Sequence, residues 1–358
     1  MPTIDERQLE LELRSLAAFV VNERGLRFVQ PVYSLLLDEE EFGDRLMEQF
    51  SPEDLEAQGR LLGALGLLPP GEDFARRLRA LLVSSVPAFY SADANAVIVK
   101  RRPLTNDLRQ ALVHELTHAL DDQHFTLSRP EYASRKDEVA FGLRALAEGD
   151  ARRIERRWHD QFNPGAPFDL TPPSLDQQTD PNGDPAIVVS QTIETYVLGE
   201  ALVNDILERS GPSGLDSAFV TPPTTSEQVI HPEKFAAREP RIEVEPPPYQ
   251  GSKIRDGVLG ELLTRQLLES RIGRERALVA AAGWGGDWFV EYSDDDGQSC
   301  FRIDWRMDSQ NDLDELAAAL DAWKQAGGVG DIERPDGETL RLTNCLPPPP
   351  SGGGTSPL

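Results

Sequence analysis

The chain has 358 residues and carries 61 acidic against 36 basic side chains, which gives a net charge of −25 and a pI near 4.6. This length is enough to bury a sizeable core, and the negative charge argues against a nucleic-acid partner because phosphates would be repelled. No apolar run of about 18 residues is present, so no membrane span is predicted. Residues 1–6 lack the basic-then-apolar layout of a signal peptide, which leaves localisation open.

Residues 1–85 are predicted to form an N-terminal helical region. Leucines at helical spacing predict helices at 5–21 and 52–66. Two apolar stretches between them, 26–29 and 32–37, are compatible with strands or with a buried helix, and periodicity alone does not decide between the two.

Two short apolar runs then predict a β-hairpin. Residues 88–91 and 96–100 flank a turn-like segment, and both are rich in residues that favour strands. Thr105 or Asn106 next supplies a helix N-cap, and the helix that follows is predicted to run to about Asp122.

That helix carries a His-Glu-x-x-His box. Residues four apart lie on one helix face, so His114 and His118 can offer imidazole nitrogens to one metal ion, with Glu115 beside them. Zinc with three protein ligands keeps a fourth position for water and lowers its pKa to about 7, and a neighbouring carboxylate can then take the proton. The alternative is a helix whose two histidines are merely half-buried. The apolar flanks argue against it, because they predict a buried helix in which stacked histidines need a metal or hydrogen bonds.

The third ligand has two candidates, of which His124 is the first. It completes a metzincin-like spacing, His-Glu-x-x-His-x-x-Asp-x-x-His, but Asp121 stands where that pattern has a glycine that turns the chain back to the metal. If the helix continues instead, six residues at about 100° each turn His124 away from the ligand face. That class also uses a methionine turn after the motif, and the only later methionine here is the distant Met307.

Glu148 is the second candidate and the one we favour. It lies in a predicted helix from about 136 to 159, whose Ala/Leu-rich first half would pack on the His-Glu-x-x-His helix. A carboxylate there is unfavourable unless it meets a cation such as zinc, although a surface glutamate is the alternative. Asp150, Asp121 or Asp122 is expected to hydrogen-bond the second nitrogen of a ligand histidine or else to be solvated.

The segments HELTHALDDQ (114–123) and ALAEGDA (145–151) together resemble gluzincin-type zinc metallopeptidases, and more closely a poorly characterised bacterial family of that kind. The resemblance covers most of residues 88–325 and continues in less specific segments at Tyr196, 222–232 and 281–287. It implies Glu115 as general base and, as zinc ligands, His114, His118 and Glu148. Better-studied gluzincins have Asp four residues after the ligand glutamate, whereas Arg152 stands here, which leaves the partner of the ligand histidine open.

Two residues are candidates for the donor that stabilises the oxyanion of peptide hydrolysis. His231 is the first, because it lies in a turn-prone, proline-punctuated segment after a helix predicted at 189–209. Tyr196 is the second. The structural alternatives are a loop histidine that caps a helix and a tyrosine at a helix boundary.

Residues 240–346 are predicted to form a C-terminal α+β lobe, followed by a disordered tail at 347–358. Its predicted elements are a helix at 257–270, strands at 288–292 and 299–306, a helix at 311–325 and a strand near 339–343. Cys300 and Cys345 are either one disulfide, which would indicate an oxidising compartment, or two free buried thiols.

The predicted fold class is α+β and zincin-like, helix-rich with a small mixed sheet, and the catalytic core is expected to span residues 86–239. Residues 96–100 are the candidate for the edge strand that lies above the metal in zincins and pairs with an extended peptide, with a plain structural hairpin as the alternative. The predicted function is zinc-dependent hydrolysis of peptide bonds, with one Zn²⁺ per chain, a peptide or protein substrate and Glu115 as base. The alternatives are an inactive zinc-stabilised binding or scaffold protein and a non-peptidase zinc hydrolase.

Overall fold

The structure is a computed structural model that describes residues 3–69, 71–132, 137–177, 179–180 and 183–346.

Helix α1 (Glu6–Arg24) shows how local signals set the ends of a helix. Asp5 caps α1 by accepting a hydrogen bond from the Gln8 backbone N–H, and the Gln8 side chain accepts one from the Asp5 N–H. Gly25 ends the helix at a φ of 79°, a left-handed conformation that glycine adopts without steric cost.

The first sheet has three strands, β1 (Tyr33–Leu37), β2 (Ala88–Ser91) and β3 (Ala96–Lys100), in the order β1-β3-β2. β2 and β3 form the predicted antiparallel hairpin, and β1 pairs with β3 in parallel, so this sheet is mixed as predicted. The open question at 32–37 is thereby decided in favour of a strand. The prediction of residues 96–100 as an edge strand was wrong: β1 pairs with the second side of β3, so β3 is central and β1 and β2 are the edges.

Three helices between β1 and β2 complete the N-terminal part: α2 (Glu39–Met47), α3 (Pro52–Ala64) and α4 (Phe74–Ser85). Each begins at a side chain that accepts a hydrogen bond from a backbone N–H of the first turn, and these caps are Asp38, Ser51 and Asp73. α1 shares a core with the three-stranded sheet, whereas α3 and α4 share one with the C-terminal part of the chain.

Three long helices form the middle of the chain, α5 (Asn106–Phe125), α6 (Val139–Phe162) and α7 (Ala186–Val220). A 3₁₀ turn, Pro130–Tyr132, follows α5. The three predicted helices are therefore present, with ends displaced by several residues. Thr105 caps α5, because its hydroxyl accepts a hydrogen bond from the Leu108 N–H.

Helices α6 and α7 cross in near backbone contact. A Cβ atom added at Gly149 would overlap the carbonyl oxygen of Gly199, and one added at Gly199 would overlap the carbonyl oxygen of Ala145. Glycine is therefore required on both helices at this crossing, well away from any turn. The close approach brings the segment of α6 from Ala145 to Gly149 against α7 at Gly199.

Helix α7 is long and apolar enough to cross a membrane, and it is the one such helix among the residues that the structure describes. Its most apolar window is 56% buried inside the protein, and core helices of soluble proteins pass the same test. Gly211, at a φ of 65° and followed by Pro212, interrupts the helical backbone near its end. The described residues thus show no clear membrane span.

The remaining elements are helices and a second, antiparallel sheet. Two short helices, α8 (Ser226–Ile230) and α9 (Pro232–Ala237), lead into a sheet of five antiparallel strands in the order β4-β5-β6-β8-β7. The strands are β4 (Ser252–Gly257), β5 (Trp284–Ser293), β6 (Ser299–Met307), β7 (Asp331–Glu333) and β8 (Leu340–Leu346). The helices are α10 (Gly260–Ile272), α11 (Arg274–Ala281) and α12 (Gln310–Gln325).

Strands β6 and β8 place Cys300 directly opposite Cys345, and the two sulfurs form a disulfide. Of the two alternatives left open by the sequence, the bridged one is present, and such a bridge is typical of oxidising compartments. The predicted disordered tail at 347–358 lies outside the described residues.

Candidate metal centre

Helix α5 presents the His-Glu-x-x-His box from a buried position. Leu112, Val113 and Leu116 belong to an apolar core shared with α1, β2 and α6. These contacts fix the rotation of α5 about its axis. His114 and His118 consequently share the face that looks toward α6.

The three predicted ligand atoms converge on one point. His114 Nε2 lies 3.0 Å from His118 Nε2 and 3.1 Å from Glu148 Oε2, and His118 Nε2 lies 3.3 Å from the same oxygen. Two ligands about 2.0 Å from one zinc ion at the tetrahedral angle are about 3.3 Å apart. The donor set therefore has the size and the chemistry of three corners of a tetrahedral zinc site.

The tautomer of His114 makes a cation necessary among these atoms. Its Nδ1 lies 3.1 Å from Glu155 Oε2, and because a carboxylate only accepts, Nδ1 carries the proton in the neutral ring. The lone pair of Nε2 then points at a carboxylate oxygen of Glu148 and at the second imidazole. Three electron-rich atoms at this separation repel one another unless a proton or a metal ion lies between them.

When no metal ion is bound, protons fill that role. Burial alone would lower the pKa of His114, but its contacts with Glu148 and Glu155 outweigh burial and raise it to about 10. Burial likewise would raise the pKa of Glu148, but the two histidines lower it below its ordinary value. A zinc ion would compete with protons for the same lone pairs, so its binding would release protons.

Glu155 is the partner of the ligand histidine, and the sequence analysis missed it. It also accepts hydrogen bonds from Gln110 and from the Arg152 guanidinium, at 2.8 and 3.1 Å. The arginine noted as a departure from better-studied gluzincins thus holds the carboxylate that orients His114. The signal was available, since Glu155 follows Glu148 by seven residues and seven residues are two helical turns.

None of Asp150, Asp121 and Asp122 is the hydrogen-bond partner of His114, which is Glu155. Asp121 and Asp150 are fully buried around Arg24, whose Nε lies 3.1 Å from Asp121 Oδ1 and 2.5 Å from Asp150 Oδ2. They tie α1 to α5 and α6 and are not solvated. Asp122 accepts hydrogen bonds from the Tyr90 hydroxyl and from the backbone of the turn after α5.

We expect Glu155→Gln to weaken zinc binding by about 10-fold or more, because the substitution keeps the shape of the side chain and removes the charge that polarises His114. A competition titration against a chelator of known zinc affinity measures the effect. Glu10→Gln, an exposed acid on α1, is the matched control and should bind zinc like the wild type. Equal affinities for Glu155→Gln and the control would contradict the assigned role.

Glu115 lies between the predicted metal ligands and the edge strand β2. Its Oε2 accepts a hydrogen bond of 2.7 Å from the Tyr90 backbone N–H on the outer edge of β2. Burial raises the pKa of Glu115 above its ordinary value, against the lowering effect of the two histidines. A carboxylate with a raised pKa beside a metal site is suited to take up a proton.

His124 lies away from this cluster. Helix α5 continues to Phe125, so His124 is turned off the ligand face, and its Nε2 lies 2.8 Å from the carbonyl oxygen of Arg27. Asp121 stays helical and pairs with Arg24. The metzincin-like alternative therefore has no support in the geometry.

The two candidate oxyanion donors occupy different places. The Tyr196 ring on α7 packs edge-on against the His114 ring, with 5.8 Å between ring centroids. His231 instead pairs with Glu261, with Nε2 3.0 Å from its carboxylate. Glu261 lies near Glu138 at the start of α6. Ten residues of helix, about 15 Å, separate Glu138 from Glu148, so His231 lies at the other end of this segment from the predicted ligand. Of the two candidates, the fold brings only Tyr196 to the metal ligands.

We expect the buried carboxyl group of Glu138 to make the free energy of unfolding fall as pH rises. Burial, with Asp287 and Glu261 nearby, raises the pKa of Glu138 to about 8. An unfolded glutamate titrates near about 4.3, so between these values the folded protein retains a proton that the unfolded chain has lost, and rising pH favours unfolding. Glu138→Gln should therefore lose less unfolding free energy between pH 5 and pH 8 than the wild type in urea titrations. A loss equal to that of the wild type would contradict this.

The residues of the candidate metal centre match no known protein or family model. Residues 247–344 match a family model described as "Domain of unknown function (DUF8575)", which lies wholly in the C-terminal part and excludes the metal centre. No curated protein and no solved structure matches the chain.

Proposed function

We propose that the protein is a gluzincin-type zinc metallopeptidase. The observation that carries this proposal is the triangle of His114, His118 and Glu148 ligand atoms, 3.0 to 3.3 Å apart, with Glu115 adjacent on the same helix. His114, His118 and Glu148 would hold one zinc ion per chain. When bound, zinc lowers the pKa of a coordinated water and polarises a substrate carbonyl.

Each side chain has a role in hydrolysis. Glu115 accepts the proton of the attacking water and then delivers it to the leaving amine, a task for which its carboxylate is already oriented by the Tyr90 N–H. Tyr196 donates a hydrogen bond to the oxyanion. Glu155 fixes the ring of His114 so that Nε2 faces the metal.

The surrounding elements support a zincin-like arrangement. The edge strand β2 runs along the helix that bears the His-Glu-x-x-His box, and the third ligand comes from the next long helix. His118 and Glu148 keep 13% and 20% of their side-chain surface exposed, so the ligand cluster opens to solvent on one side. A substrate carbonyl can approach from that side.

The test is hydrolysis by protein stripped with a chelator and reloaded with zinc. Peptide mixtures analysed by mass spectrometry, together with ester and simple amide substrates, should show cleavage of peptides that requires zinc. Zinc-dependent turnover of esters without any peptide cleavage would replace the proposal with a non-peptidase hydrolase. Zinc binding without turnover of any substrate would favour the binding or scaffold alternative.

A further inference from the structure

Arg144 lies one helical turn before Glu148 on α6 and has no partner of its own. The other arginines of α6 each have a carboxylate within 4 Å, and the pairs are Arg152–Glu155, Arg153–Asp150, Arg156–Glu200 and Arg157–Glu23. Within the described ranges, the Arg144 guanidinium has neither an ion pair nor a hydrogen bond.

Arg144 lies close to the predicted metal ligands. Its side chain is exposed to solvent, and Glu148 and Tyr196 are the groups that act on it electrostatically. Glu148 follows Arg144 by about one helical turn, and the Tyr196 ring packs against His114. Arg144 is therefore a neighbour of two residues of the candidate site.

The charge of Arg144 is available to a ligand. Arg152, four residues after Glu148, is buried and committed to Glu155 and to the Phe168 carbonyl oxygen. Glu148 lies four residues from Arg144 and would otherwise be its natural partner, but its carboxylate faces the two histidines. The guanidinium offers five donors in a planar fork that matches a carboxylate.

We propose that Arg144 binds a carboxylate of the substrate and thereby makes the enzyme selective for peptides that carry one close to the scissile bond. One helical turn is about 5.4 Å, and neighbouring residues of a peptide are about 3.8 Å apart, so the carboxylate belongs one or two residues from the cleaved bond. Its source is either the C-terminal carboxylate or the side chain of Asp or Glu. This inference rests on the proposed peptidase function.

Three matched peptides separate the sources: one with a free C-terminus and no acidic side chain, its C-terminal amide, and an amide with one Glu next to the cleaved bond. The wild type should cleave at least one carboxylate peptide with a kcat/KM about 10- to 100-fold above that of the neutral amide. Preference for the free C-terminus identifies a carboxypeptidase, and preference for the Glu peptide identifies a side-chain subsite. Arg144→Gln should lose this preference, and the loss should appear in KM.

A binding measurement separates this inference from the proposed function. The measurement compares zinc-loaded Glu115→Gln with the double variant that also carries Arg144→Gln. Calorimetry should show that the double variant binds the preferred carboxylate peptide about 10-fold or more weakly, with the same zinc content. Arg157→Gln, an exposed arginine on the same helix, is the control and should change neither binding nor turnover. If the wild type and Arg144→Gln both cleaved all three peptides equally well, the inference about Arg144 would be wrong and the proposed function would stand. If the wild type cleaved no peptide, the proposed function would be wrong.

Discussion

We expect Glu115→Gln to lower kcat for peptide hydrolysis by about 10²- to 10⁴-fold, the usual contribution of a general base. The substitution is nearly isosteric, and the glutamine carbonyl oxygen still accepts the hydrogen bond from the Tyr90 N–H. The protein should therefore fold normally. Zinc content should also stay at that of the wild type, because the ligand atoms belong to His114, His118 and Glu148.

Two readouts make this result specific. Zinc content and the unfolding midpoint in urea, measured on the protein used for kinetics, exclude loss of metal or of fold as the cause. Glu10→Gln on the exposed face of α1 provides the control for a lost acidic charge. Hydrolysis by Glu115→Gln at the wild-type rate would remove Glu115 from the mechanism.

We expect Gly149→Ala to destabilise the protein by about 1 to 3 kcal/mol, the usual effect of inserting a methyl group into a closely packed contact. Alanine is the better helix former by about 1 kcal/mol, so this loss appears against a favourable propensity. The new methyl group would overlap the Gly199 carbonyl and push α6 away from α7. Glu148 is the neighbouring residue in sequence and Tyr196 is one turn before Gly199, so zinc affinity should fall as well.

Gly63→Ala is the matched control. Gly63 also lies in a helix, but a Cβ atom there meets nothing within 4 Å. This variant should be as stable as the wild type or more stable by up to about 1 kcal/mol. Urea unfolding and a chelator competition on both variants provide the measurement. If Gly149→Ala behaved like Gly63→Ala, the tight crossing of α6 and α7 would have no energetic role.

The parts of the fold that local signals specify could be predicted from the sequence. The cap at Thr105, the hairpin of β2 and β3 and the helical spacing of α6 each depend on neighbouring residues only. The three ligand atoms meet because two of the residues share one helix face and the third follows on a helix that packs against it. The α+β class follows from the same local patterns.

Contacts between residues distant in sequence could not be predicted. The 58 residues between Leu37 and Ala96 separate β1 from β3 in the chain, and the pairing of these strands makes β3 central and β1 and β2 the two edges. Arg24 draws Asp121 and Asp150 into a buried ion-pair group, so these acids are unavailable to the histidines. His231 contacts Glu261 from the C-terminal part of the chain, a pairing with no local signature.

The role of Glu155 could be predicted from the sequence only in part. Its spacing from Glu148 places both on one face of α6, a relation that the sequence contains. The choice among the acids nevertheless depends on how α5 packs against α6, which brings Glu155 to His114. Patterns along one helix therefore indicate the candidates, and packing between the two helices selects one.

Zinc content per chain, measured for the wild type and for Glu148→Ala in one metal analysis, tests the central claim most directly. The structure predicts about one zinc per wild-type chain and close to none for the variant, since two histidines alone hold zinc much more weakly than three ligands do. A Glu148→Ala protein that retains one zinc would place the third ligand elsewhere. A wild-type protein that binds no zinc would contradict the metal centre itself.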